Sequence, residues 1–158
     1  MIFNIYLCFK STKNMFSKAC QYGIKASVYI ALQSAKGNRS NLKDIALNID
    51  SPEAFTAKIL HQLAKNNILS SLKGPTGGFV IEDGKSKTTK LSAIVSAIDG
   101  DSIYKGCALG FDVCDENKPC PMHSKFFKIR EDLRHMLENT SLYDLAHELV
   151  EEPTFLKR

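Results

Sequence analysis

Two hydrophobic periods divide the first half of the chain. Over residues 17–67 apolar side chains return every three or four positions, which predicts amphipathic helices. Over residues 68–83 they alternate with polar ones around a Gly-Pro-Thr-Gly-Gly turn, which predicts a two-stranded hairpin. The predicted order is helix, short helix, turn, longer helix and hairpin, which is the order of a winged helix-turn-helix.

The first three predicted helices carry start and stop signals. The first covers residues 17–35 and is followed by Gly37, and the second starts near Asn41. The third follows Ser51, which is a good N-cap, and ends near Asn66. Its predicted buried stripe consists of Phe55, Ile59, Leu60 and Leu63.

The second half is also predicted to be mainly helical. Residues 90–100 read as a short helix ending at Gly100, and residues 121–138 as a long amphipathic helix. A last helix starts near Ser141, a candidate cap. The apolar edge of the long helix comprises Phe126, Ile129, Leu133, Met136 and Leu137. From periodicity alone, this edge is expected to pack on the chain's own core.

The predicted fold class is therefore mainly α with a small β-hairpin wing. In a winged helix-turn-helix the second helix of the pair enters the major groove, where base edges can be distinguished. The hairpin reaches the neighbouring backbone, where glycines permit close approach. The candidate DNA contacts are Ser51, Thr56 and Lys58 on the third helix, and Lys73 and Thr76 beside the hairpin turn.

The charge distribution agrees with a DNA-binding first half. Residues 15–90 carry 11 Lys and Arg against 5 Asp and Glu, whereas residues 91–158 carry 8 against 12. A basic surface gains affinity for DNA because it releases condensed counterions. A solvated lysine-rich surface would have the same composition, so charge alone leaves both interpretations open.

The 158-residue chain is long enough for one small globular domain and an appended helical arm. Residues 1–14 faintly resemble a signal peptide, but their lysines follow the apolar run instead of preceding it. These residues are therefore predicted to be an extension outside the fold. No apolar stretch approaches the roughly 20 residues of a membrane span, so a cytoplasmic location is expected. The predicted divisions are a DNA-binding domain over 15–100, a cysteine-bearing loop over 101–120 and a dimerisation helix with C-terminal segment over 121–150.

Three of the five cysteines and one of the four histidines crowd into residues 107–123. The candidate ligands are Cys107, Cys114, Cys120 and His123, with the spacing C-x6-C-x5-C-x2-H. Soft thiolates and imidazole suit an iron–sulfur cluster or a tetrahedral zinc site, although the spacing follows neither the usual zinc-finger nor the ferredoxin pattern. The alternatives are a reversible disulfide or inert thiols.

The stretches SPEAFTAKILHQLAKNNILSSLKGPTGGF and MFSKACQYGIKASVYIAL resemble the Rrf2 family of winged helix-turn-helix bacterial transcriptional regulators, whose members include IscR-, NsrR- and CymR-like proteins. The resemblance covers residues 15–149 and supports Met15 as the usual start. It implies a homodimer formed through the long C-terminal helix and a near-palindromic DNA site. Lys73 stands where iron–sulfur members often carry arginine, and lysine lacks the guanidinium fork used in groove readout. Ala57 stands where some members carry glutamate, so the operator sequence of those members does not transfer to this chain.

The resemblance also implies a role for the cysteine segment. Three cysteines between the wing-associated helix and the dimer helix are the family's sensor loop, which in IscR-like members holds a [2Fe–2S] cluster and in NsrR-like members a [4Fe–4S] cluster. The first gap is one residue longer here than in IscR-like members. The position of an acidic fourth ligand in NsrR-like members is Gln21, with Cys20 beside it. His123 and a [2Fe–2S] cluster are therefore favoured, and the cluster can be absent from purified protein.

The predicted function is a homodimeric DNA-binding repressor that senses redox state, nitric oxide or iron–sulfur status through the segment of three cysteines and one histidine. The alternatives are a regulator or scaffold without a cluster, acting as a metal-free thiol switch or through protein partners. An enzyme is not expected, because the chain has no CxxC motif and no strand–helix nucleophile context.

Overall fold

A computed structural model of the chain describes residues 15–74, 76–107, 109 and 115–151. Residues 1–14 and Cys114, on which two of the predictions rest, lie outside the described residues.

The described residues form eight helices and one two-stranded antiparallel sheet. The elements are α1 (Lys18–Ser34), α2 (Leu42–Ile49), α3 (Glu53–Lys65), β1 (Ser70–Leu72), β2 (Gly78–Val80), α4 (Lys85–Thr88), α5 (Leu91–Asp99), α6 (Ser102–Lys105), α7 (His123–Asn139) and α8 (Leu142–Glu151). The predicted mainly helical fold with a hairpin wing is confirmed. Helices α4 and α6 were not predicted, because a single helical turn is too short to show a period.

Helix α1 is the centre of the packing and contacts α2, α3, α5 and α8. Gly23 lies where α1 meets α5, and the atom nearest to the position of a Cβ there is the terminal Cδ1 methyl of the flexible Ile98 side chain. The N-terminus of α1 is held by Asp99 of α5, whose carboxylate accepts a 2.9 Å hydrogen bond from the Ser17 backbone N–H. The Ser17 hydroxyl caps the helix by accepting from the Cys20 backbone N–H at 3.0 Å.

Helices α2 and α3 form the helix-turn-helix pair. Asn41 caps α2 by accepting a 2.8 Å hydrogen bond from the Asp44 backbone N–H, and Asp50 ends it with a left-handed φ of 54°. The predicted N-cap at Ser51 is wrong. Pro52 keeps an extended ψ of 136° and occupies the cap position itself, so α3 begins at Glu53 and Ser51 lies one residue too early.

The buried stripe of α3 differs from the prediction by one side chain. Thr56 is 0% exposed and lines the core together with Ile59, Leu60 and Leu63, whereas Phe55 is 36% exposed. The buried positions thus follow the spacing of one helical face. Phe55 lies at the rim, where its ring packs edge-on against Tyr22 with centroids 5.9 Å apart.

The C-terminal helices share the core of the helix-turn-helix. Leu137 of α7 and Leu142 of α8 are buried in one cluster with Ile30 of α1, Ile45 of α2 and Leu60 of α3. The predicted cap of α8 is confirmed, because the Ser141 hydroxyl accepts a 3.1 Å hydrogen bond from the Asp144 backbone N–H. Within the described ranges, no helix combines the length and hydropathy that a bilayer crossing requires.

Candidate DNA interface and cysteine segment

The wing is a short hairpin fixed at its base to the segment between α1 and α2. In its register Ser70 pairs with Val80 and Leu72 with Gly78. Ser40 extends the pairing, because its N–H and C=O exchange hydrogen bonds of 3.0 and 2.8 Å with Phe79. The position of the wing relative to α2 and α3 is therefore set by backbone hydrogen bonds.

The turn of the wing requires glycine. The Gly77 backbone N–H donates to the Gly74 carbonyl at 2.9 Å, and a Cβ on Gly77 would clash with the Leu72 carbonyl oxygen. Lys73 and Thr76 flank this turn and are exposed, so both predicted wing contacts are accessible to a ligand.

Helix α3 presents a row of exposed residues on the side opposite its buried stripe. The row contains Ala54, Lys58, His61 and Lys65, spaced by four, three and four positions. Such spacing places them along one face, as a helix in a major groove requires. Lys58 was predicted from the sequence, whereas His61 and Lys65 were missed. The same 3.6-residue period, applied to the polar positions, would have identified them.

Two of the predicted contacts at the N-terminal end of α3, Ser51 and Thr56, have buried hydroxyl oxygens. Thr56 is fully buried, and its hydroxyl donates to the Pro52 carbonyl at 3.0 Å, so the predicted direct contact of Thr56 with DNA is wrong. The Ser51 residue is half-exposed, but its hydroxyl oxygen is buried. Thr56 is buried because it lies three, four and seven positions before Ile59, Leu60 and Leu63 and so shares their helical face, whereas Ser51 precedes the helix.

Arg39 is a further accessible cation beside the wing. It is exposed and precedes Ser40, and its Cβ lies 3.5 Å from the point that a Cβ on Gly78 would occupy. No local signal in the sequence marks Arg39, since nothing nearby shows that the α1–α2 connection pairs with β2. The ion pairs seen in the described residues lie elsewhere, on α6 and α7, so the basic groups beside the wing and on α3 face solvent.

The cysteine segment connects α6 to α7. Cys107 and Cys120 are half-buried, and the His123 backbone N–H donates to the Cys120 carbonyl at 2.9 Å in the turn that opens α7. Arg130 of α7 donates through Nη1 to the Gly106 carbonyl at 3.3 Å and so ties the residue before Cys107 to the long helix. Cys107 lies just after α6 and Cys120 just before α7, so a chemical change at either cysteine would occur close to the end of a helix.

The donor set suits a cluster chemically, since it supplies thiols and an imidazole. The structure does not assemble it: among the described residues, no three His, Cys, Asp or Glu side chains converge as a metal site. Cys107, Cys120 and His123 therefore do not form a three-donor set with one another, and Cys114 lies outside the part of the chain that is described.

Cys20, the alternative ligand, has a different environment. It is fully buried, and this burial, followed by the charge of Asp99 and a hydrogen bond to it, raises the pKa of the thiol to about 12. Because thiolates rather than thiols bind metals and attack electrophiles, Cys20 is a poor ligand and a poor nucleophile at neutral pH.

Residues 16–148 match the model of the Rrf2 family, which is described as an iron-dependent transcriptional regulator. The chain belongs to the Rrf2 family of transcriptional regulators. A relative from Aquifex aeolicus (strain VF5), named as an HTH-type transcriptional regulator, is 31% identical over 139 residues, which are 84% of this chain and 92% of the relative. IscR of Serratia proteamaculans (strain 568) is 24% identical over 127 residues, which are 80% of this chain and 76% of the relative.

Solved structures show the same fold at lower identity. CymR of B. subtilis, named as its global cysteine regulator, superposes with a TM-score of 0.68 at 20% identity and covers 84% of this chain and 95% of its own. T. potens IscR superposes with a TM-score of 0.66 at 20% identity and covers 88% of this chain and 90% of its own. The predicted family is confirmed. The relatives are named as regulators, in agreement with the prediction that this Rrf2 protein is not an enzyme.

Proposed function

We propose that this Rrf2 regulator is a homodimeric repressor that acts in the cytoplasm on near-palindromic DNA, and that its DNA affinity depends on the chemical state of the cysteine segment. The observation that carries the proposal is the exposed row of α3 beside the glycine wing. The row offers Lys58 and His61 to base edges, and the wing offers Lys73 and Thr76 to the backbone. Arg39, which precedes α2, and Lys65, the last residue of α3, add phosphate contacts.

The proposed dimer rests on the uncovered apolar residues of α7. Leu137 is buried, whereas Ile129 and Met136, seven positions apart on one face of α7, are 59% and 49% exposed. Contiguous exposed apolar side chains on one long helix are typical of a surface covered by a partner. A homodimer through α7 would present two α3 helices related by a two-fold axis, which is the symmetry of a near-palindromic site.

The proposed sensor comprises Cys107, Cys114, Cys120 and His123, which would hold a [2Fe–2S] cluster in preference to a [4Fe–4S] cluster. The iron-dependent description of the family and the IscR relatives support this assignment. Such a cluster would supply reactivity toward oxidants and nitric oxide. The chain would contribute thiolates and an imidazole. The hydrogen bond from Arg130 to the Gly106 carbonyl would connect a change in the cysteine segment to α7.

The second candidate is a metal-free thiol switch at the same segment. Cys107 and Cys120 support it, because both thiols are half-buried in this segment and are not enclosed in the core as Cys20 is. Oxidation would join two thiols in a disulfide and release two protons and two electrons to an oxidant such as peroxide.

Anaerobic purification followed by visible absorption and by iron, sulfide and zinc assays separates the two candidates. The cluster proposal predicts coloured protein with near-stoichiometric iron and sulfide, which Cys120→Ala and His123→Ala reduce and the matched Cys8→Ala does not. Colourless protein without iron, in which peroxide reversibly converts thiols to a disulfide, would contradict the cluster proposal and support the thiol switch. Zinc without sulfide would contradict both.

A further inference from the structure

A cleft of about 200 Å³ opens between α1, α4 and α8. Its walls are mostly apolar and are built largely from small side chains. The lining includes Leu32, Ala35, Ser86, Tyr143, Ala146 and His147.

The size and lining of the cleft indicate the apolar part of a ligand. An engineered apolar cavity of about 150 Å³ is large enough to bind benzene, so this cleft has room for one aromatic ring with a short substituent. Leu32 and Ala146 supply the apolar contact, and Tyr143 adds an aromatic ring to the lining. Apolar walls with a few polar groups at one end are the usual composition of small-molecule sites.

The polar end of the cleft is cationic. The Lys87 ammonium lies 5.0 Å from the centroid of the Tyr143 ring, and the His147 ring lies 5.5 Å from the same ring. The acidic neighbours on α8 are Asp144, three positions before His147 and therefore on the same side of the helix, and Glu148, which follows His147 directly. The Asp144 carboxylate is engaged by the Ser141 backbone N–H at 2.8 Å, so Lys87 supplies the charge at the opening.

From these contacts we propose that the cleft binds a small aromatic carboxylate, with the ring between α1 and α8 and the carboxylate directed to Lys87 and His147. Charge complementarity selects an anion over a neutral aromatic molecule of the same shape.

The cleft borders the residues that hold the root of the wing. The Ser34 hydroxyl, one residue before Ala35, accepts a 3.0 Å hydrogen bond from the Ile81 backbone N–H just after β2. Helix α4, which supplies Ser86, follows β2 closely along the chain. A ligand in the cleft would act as an effector by favouring one position of the wing, and this regulatory part rests on the proposed DNA-binding function.

Benzoate titrated into the isotopically labelled full-length chain, without DNA, tests the site by amide chemical shifts. We expect saturable shifts at Ala35, Ser86 and His147, with benzamide binding about tenfold more weakly because it lacks the charge. Ala146→Leu fills the cleft and should abolish the shifts, and Ala35→Leu serves if that variant does not fold. The matched Ala93→Leu, on an exposed position of α5, should bind as the wild type does.

Lys87→Gln should remove the preference for benzoate over benzamide while leaving ring binding in place. The absence of saturable shifts in the wild type, or equal binding by both cleft-filling variants, would overturn the site. Equal affinity for benzoate and benzamide would overturn the carboxylate assignment. Since the titration contains no DNA, a failure here is distinct from a failure of the DNA-binding proposal, and unchanged DNA affinity at saturating benzoate would overturn the effector role alone.

Discussion

Burial gives Cys20 a chemistry that differs from that of Cys107 and Cys120. Its thiol lies in the core beside Asp99, and its pKa of about 12 keeps it protonated at neutral pH. Cys107 and Cys120 are half-buried at the edge of the fold. The Cys20 thiol is thus packed as a small apolar group, whereas the thiols of Cys107 and Cys120 are accessible to reagents.

We expect iodoacetamide to modify Cys107 and Cys120 in the folded protein much faster than Cys20, because alkylation needs an accessible thiolate. Peptide mass spectrometry of samples quenched over time measures the three rates. In guanidinium chloride the rates should converge, since unfolding removes the burial of Cys20. Equally fast modification of Cys20 in the folded state would contradict its assignment as a core residue.

Asp144 should give the stability a defined pH dependence. Hydrogen bonds from the Ser141 hydroxyl and backbone N–H lower the pKa of this carboxyl below its usual value. A lowered folded-state pKa stabilises the fold above the unfolded-state pKa of about 3.9, and this contribution is lost as the pH falls through the folded-state pKa. The free energy of unfolding of Asp144→Asn should therefore be lower than that of the wild type at pH 7.

The difference between Asp144→Asn and the wild type should shrink as the pH falls below about 4, because the wild-type carboxyl becomes protonated there. Ser141→Ala removes one donor to Asp144 and should weaken this pH dependence. Denaturant unfolding of the three proteins at several pH values provides the measurement, and a pH-independent difference would contradict the assignment.

The secondary-structure elements differ in how strongly they depend on backbone geometry. The wing depends on it most, since Gly77 has no room for a Cβ and Ser40 pairs with Phe79 through main-chain groups alone. Helix α3 depends on its side chains, with Thr56 and Leu60 turned inward and Lys58 outward.

Gly77→Ala should distort the wing and lower DNA affinity by about tenfold or more, about 1.4 kcal/mol, with little loss of helix content. Fluorescence anisotropy with a DNA duplex and far-ultraviolet circular dichroism measure the two effects. Gly100→Ala, in the left-handed turn after α5, is the control for backbone strain away from the wing. Comparable loss of DNA affinity in both variants would mean that the wing makes no specific contribution.

The fold was predictable from the sequence wherever an element was long enough to repeat its period. Helices α1, α2, α3, α5, α7 and α8 and the hairpin all met this condition, whereas α4 and α6 did not. The candidate site was predictable only in part. Lys58, Lys73 and Thr76 are exposed as predicted, but Thr56 was missed as a core residue because the buried stripe was assigned from apolar side chains alone, although Thr56 shares the helical spacing of Ile59, Leu60 and Leu63. Arg39 is brought to the wing by a long-range backbone pairing that has no local signal.

Across the molecule, one core joins the helix-turn-helix to the C-terminal helices while much of the apolar surface of α7 stays uncovered. Leu137 and Leu142 anchor α7 and α8 to this core, and Ile129 and Met136 face outward. The sequence pattern suggested that the edge of α7 packs on its own chain, and the exposure of Ile129 and Met136 supports the proposed dimer instead.

Ile129→Glu should convert the proposed dimer to a monomer, because a carboxylate would be buried without a partner at the interface. Sedimentation equilibrium measures the mass. His135→Glu places the same charge on an exposed polar position of α7 and should leave the dimer intact. A wild-type protein that sediments as a monomer, or an Ile129→Glu variant that stays dimeric, would contradict the assignment of α7.

The most direct test of the proposed sensing role is the DNA affinity of the anaerobically purified protein before and after exposure to nitric oxide or peroxide. Anisotropy would be measured on a duplex that the protein itself selects from a random pool. We predict a change of about tenfold or more in the wild type, within the usual range of coupling between sites, and none in Cys120→Ala. Equal affinity of the wild type before and after exposure would contradict a sensing role for the cysteine segment.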